Sequence, residues 1–95
     1  MKSFDAKWND LRASSSAQEE AARVEDVTAN LRQNRVQYEL AVSDVATGTI
    51  VPVAELGRKP AARLRVDLTL AAGGAKRILS WEPRDPANVL PLLRE

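Results

Sequence analysis

The hydrophobic period of this chain changes once, at Asn34-Arg35, and that change limits the folds open to it. Ahead of the junction Val24, Val27 and Leu31 recur at helical spacing. Beyond it Val36, Tyr38, Leu40 and Val42 alternate strictly, as do Leu64, Val66, Leu68 and Leu70. A helical half therefore precedes a stranded half. This order predicts an α+β fold in one domain, residues 1–95. It divides into a helical arm at 1–34, an antiparallel sheet at 35–81 and a C-terminal apolar tail at 82–95.

The arm reads as a short helix, a bend and a longer helix. Phe4, Trp8 and Leu11 form an apolar stripe behind the capping residue Ser3. Ser14-Ser15-Ser16 then interrupts, and Ser16 with Glu19 has the spacing of a capping box that opens the second helix. The second stripe is Ala17, Ala21, Val24, Val27 or Thr28, and Leu31, with Glu19, Glu20, Arg23, Glu25, Asp26 and Arg32 assigned mostly to other faces. At about 100° per residue the two stripes fall out of line, so the serines mark a real break.

Four strands are expected in the sheet: Arg35 to Val42, Thr49 to Ala54, Arg63 to Leu70 and Lys76 to Trp81. Asp44 to Gly48, Gly57 to Pro60 and Gly73-Gly74 supply the turns, so the strands form a meander or two linked hairpins. The second strand is apolar on both faces, and Pro52 removes a ladder donor, which puts it at an edge or a bulge. Asp85-Pro86 opens a single helical turn limited by Pro91.

Composition narrows function. The 95 residues include neither cysteine nor histidine, which removes disulfides, thiolate nucleophiles, Ser-His-Asp relays and His- or Cys-bearing metal sites. No phosphate-cradling glycine loop occurs. Catalysis would require Asp44, Glu55, Asp67 or Glu82 to converge in space, since Glu82 and Asp85 alone are flanked by prolines. The expectation is a non-enzymatic chain with no cofactor or metal. It is soluble and cytoplasmic, with no apolar run of signal-peptide or membrane-spanning length.

Two binding readings remain. Phe4, Trp8, Leu11, Ile50, Val51, Val53, Leu90, Leu92 and Leu93 offer more apolar surface than one sheet face and one long helix cover. Either the tail and first helix fold back over the sheet's open face, or, as the preferred reading, these residues are contacts to another protein, first of all a second copy sharing helices or sheet edges, as in a homodimer. Small accessory, inhibitor and structural proteins, including those of phages and mobile elements, share this order of elements. The alternative is a nucleic-acid-binding face. Between positions 58 and 77, Arg58, Lys59, Arg63, Arg65, Lys76 and Arg77 stand against the single acid Asp67, in a chain whose net charge is +1. Tyr38 or Trp81 would stack on bases in that reading, whereas in the plainer one the arginines are a solvated outer face that keeps the sheet soluble and the aromatics point inward.

Overall fold

The computed structural model describes residues 3–52, 63–72 and 75–93. It contains α1 (Phe4–Arg12), α2 (Ala17–Gln33), β1 (Gln37–Asp44), β2 (Ile50–Pro52), β3 (Leu64–Ala72), β4 (Ala75–Trp81) and α3 (Pro86–Leu93). The architecture is α+β, with helices against an antiparallel sheet. Three strands are long, and β2 adds three residues at one edge, in the order β2-β1-β3-β4. Two hairpins are thus joined through the β1–β3 pair, which runs antiparallel from Gln37↔Ala71 to Asp44↔Leu64. The turns expected at Gly57 to Pro60 and at Gly73-Gly74 lie outside the described residues.

The junction that ends the helical period is a Schellman motif. Arg35 adopts a left-handed conformation with φ 54°. Its N–H donates to the Arg32 carbonyl at 3.2 Å, and the Val36 N–H donates to the Leu31 carbonyl at 3.0 Å. The first strand accordingly begins at Gln37 rather than at Arg35, because Arg35 belongs to the helix cap. The N-terminal cap of α2 is half of a capping box. Ser16 Oγ accepts the Glu19 N–H at 3.1 Å, but the Glu19 carboxylate is taken by Ser15 Oγ at 2.9 Å and by Arg23 at 2.7 Å.

The serine break has a consequence for the core. Ser14 is buried, its hydroxyl donating to the Leu11 carbonyl at 2.7 Å, and the chain turns there so that α1 packs beside α2. Both helical stripes then face one sheet surface. Trp8, Leu11, Val24, Val27 and Leu31 meet Val42, Leu64, Val66, Leu68 and Leu70. Trp8 packs edge-on against Trp81 with ring centroids 5.8 Å apart, and Phe4 stacks on Trp8 at 6.4 Å.

In this packing the first helix and the tail fold back over the sheet. Trp8, Leu11, Leu90 and Leu93 are buried within the single chain, and Phe4 and Leu92 are half-buried against the same core. The tail also runs longer than one turn, since α3 continues through Pro91 to Leu93. Pro91 removes only one amide from the helix ladder. Val89, Leu90 and Leu93 lie on the buried side of α3, which packs against α2 and keeps the helix in place.

Candidate functional site

β4 ends the sheet, and among the described residues no strand pairs with its outer side. Every second peptide group of such a strand points away from the sheet, ready to bond another strand. The alternation of Ala75-Lys76-Arg77-Ile78-Leu79-Ser80-Trp81 decides what surrounds those groups. Register with β3 places Ile78 opposite Thr69 and Ser80 opposite Asp67 on the outer face, and Leu79 opposite Leu68 on the core face. Ile78 is 66 % exposed, while Trp81 is buried.

Both ends of β4 are held from the helical side. At its start, Arg77 Nη1 contacts Asp5 Oδ1 of α1 at 2.8 Å. At its end, Glu20 of α2 reaches into the core with 2 % exposure. Its Oε2 accepts from Trp81 Nε1 at 3.2 Å and from the Arg84 N–H at 2.8 Å, and its Oε1 accepts from the Asp85 N–H at 3.1 Å. A buried carboxylate is tolerated where its lone pairs are filled in this way. The latch tightens further through Arg84, whose guanidinium donates to the Ser14 carbonyl at 3.1 Å.

Between these ties α1 runs alongside β4, with Asp5 near Arg77 and Arg12 near Ser80 and Glu82. The space between helix and strand is a groove of about 390 Å³, walled by Asp5, Asn9 and Arg12 on one side and Arg77 to Ser80 on the other, with Trp8 among its lining residues. A second hollow of about 340 Å³ continues past Arg12 and Ser80 to Glu82. By contrast, the cavity inside the core between Trp8, Val27 and Leu68 measures about 10 Å³, room for one water-sized body and for no ligand.

The predicted interface residues are divided by this geometry. Ile50 is 66 % exposed on β2, whereas Trp8, Leu11, Leu90 and Leu93 are core. The side chain of Val51, and Val53 entirely, lie outside the described residues. Glu20, expected on an outer helix face, sits four residues before Val24 and seven before Val27, on the apolar stripe. That spacing was the signal for its burial.

The basic residues do not form one field. Arg63 pairs with Glu82 at 3.1 Å and Arg65 with Asp67 at 3.1 Å. Asp67 also accepts from Ser43 and Ser80. Lys76 aligns with Ala71, six ladder positions or about 20 Å from Arg65. Arg77 has the opposite parity to Lys76 and points toward α1. Arg58 and Lys59 lie outside the described residues. Trp81 is buried and bonded to Glu20, which removes it as a stacking surface, and Tyr38 is half-buried against the core.

Among the described residues no three acidic side chains gather as a metal cluster. Asp44 accepts the Ala46 N–H in its own turn, apart from the Asp67 and Glu82 networks. No helix among them is long and apolar enough to cross a membrane. Comparison of the chain with protein-family models, curated proteins and solved structures finds no match.

Proposed function

We propose that this chain is a non-catalytic protein-interaction module that accepts an extended partner strand along β4, with the partner's side chains entering the groove beside α1. The observation that carries the reading is the outer side, unpaired among the described residues, of a seven-residue strand fixed at both ends and flanked by that groove. Strand addition at such an edge takes its affinity from main-chain hydrogen bonds and its specificity from alternate side chains. Rigid anchoring by Glu20 and Asp5 favours it, since an edge ordered in advance loses less entropy when a partner binds.

The test titrates isotope-labelled protein with synthetic extended peptides that alternate apolar and polar residues, one of them the chain's own residues 75–82. Amide signals of β4 and α1 are expected to shift while those of β2 stay in place. Shifts confined to the outer face of β1 and β3 would defeat the reading. So would the absence of any peptide response in a chain that also does not self-associate.

A further inference from the structure

Resting on that reading, we infer that the strand accepted by β4 is β4 of a second copy, paired antiparallel about a two-fold axis through Leu79. Charge complementarity on two elements at once favours this occupant. Lysine on an edge strand ordinarily discourages pairing. On this edge, however, Lys76 lies on the outer face and Glu82 follows directly after the last strand residue, beside Arg63, so that an antiparallel copy centred on Leu79 and continued one residue past β4 sets Lys76 opposite Glu82 of the second copy, twice by symmetry. Ile78 then lies opposite Ser80 and diagonal to Ile78 of the second copy, within reach of a cross-strand contact that covers both exposed side chains. Leu79 meets itself on the core side.

The helix beside the strand obeys the same axis. Asp5, Asn9 and Arg12 share one face of α1 at spacings of four and three residues, and all three line the groove. Because Asp5 lies beside Arg77 and Arg12 beside Ser80 and Glu82, the middle of that face is level with Leu79. A two-fold axis there brings Asp5 toward Arg12 of the second copy and Asn9 toward Asn9. One axis therefore matches opposite charges on the strand and on the helix together, as an isologous interface requires. A peptide of unrelated sequence would satisfy the strand's main chain and leave the pattern on α1 without a counterpart.

Sedimentation velocity over a concentration series, with the variants Lys76→Glu and Glu82→Lys, tests the inference. Each reversal sets like charges opposite each other in the homodimer and is expected to raise its dissociation constant about tenfold or more. An equimolar mixture of the two variants restores both cross-strand pairs and is expected to dimerise as the parent does. Both positions are exposed, and circular dichroism checks that each variant remains folded. A parent chain that stays monomeric throughout overturns the second-copy inference, as does a dimer indifferent to both reversals. If the monomeric chain still binds extended peptides at β4, the strand-addition reading survives alone. If it binds none, both fall.

Discussion

The two edges of the sheet carry isoleucines of equal exposure, Ile50 on β2 and Ile78 on β4, and they differ in everything behind those side chains. The described part of β2 pairs with β1 over three positions, Ser43↔Ile50 to Ala41↔Pro52, and includes a proline that has no N–H to offer a neighbour. β4 pairs with β3 over its full length, contains no proline, and is tied to α1 through Arg77 and to α2 through Trp81. Exposure of one apolar side chain therefore says little about binding. What distinguishes an interface is the ordered main chain and shaped surface around it.

The contrast is broken most severely by removing what backs β4. Trp8→Ala is expected to cost about 3–5 kcal/mol in chemical denaturation, since it empties the space between Phe4 and Trp81. A Trp8 that acted as an external anchor would instead leave stability unchanged and weaken association alone. Glu20→Ala releases the far end of β4. It leaves the Trp81, Arg84 and Asp85 donors without their acceptor, and a loss of about 3 kcal/mol is expected, with Glu20→Gln recovering part of it. Chemical denaturation of both variants checks that order.

A sharper comparison uses the isoleucines themselves. Ile78→Asp and Ile50→Asp should each change stability by no more than about 0.5 kcal/mol, because both sites are exposed. Only Ile78→Asp should abolish association in sedimentation. The smallest effect concerns the surface arginines. Arg63→Ala and Arg65→Ala should each alter stability by about 0–1 kcal/mol in thermal melts, as expected for exposed ion pairs, and Arg65→Ala should leave association unchanged.

Local patterns in the sequence carried much of the fold, and their limits have physical causes. The strict alternation from Val36 to Val42 and from Leu64 to Leu70 identifies the core face, because side chains of a strand point alternately to its two sides. The three serines identify the break between helices. How far the chain turns there depends on burial of Ser14 and on packing of Trp8 against Trp81, a residue more than seventy positions away. A stripe that a straight helix would turn away from the sheet is thus part of the core once the chain bends.

Glu20 was obscure for a related reason. A carboxylate on an apolar stripe is normally costly to bury, and the N–H groups that offset the cost come from Trp81, Arg84 and Asp85, far along the chain. The basic cluster misled in the opposite direction. Summing charge along the sequence adds Lys76 to Arg77, although neighbours in a strand face opposite sides. It also ignores Asp5 and Glu82, which only folding brings alongside Arg77 and Arg63. The β1–β3 pairing decides the opposite edge, since a meander would place the first strand there instead of β2, whereas β4 is outermost in either order.

The central claim is that β4 is the edge at which copies of the chain meet, and amide hydrogen exchange read residue by residue at rising protein concentration tests it most directly. Protection of alternate residues between Lys76 and Ser80 should increase with concentration, in step with dimer formed, while β2 and the β1–β3 pair remain as they were. Exchange along β4 that is fast and independent of concentration, or new protection that appears at β2 instead, would contradict the account.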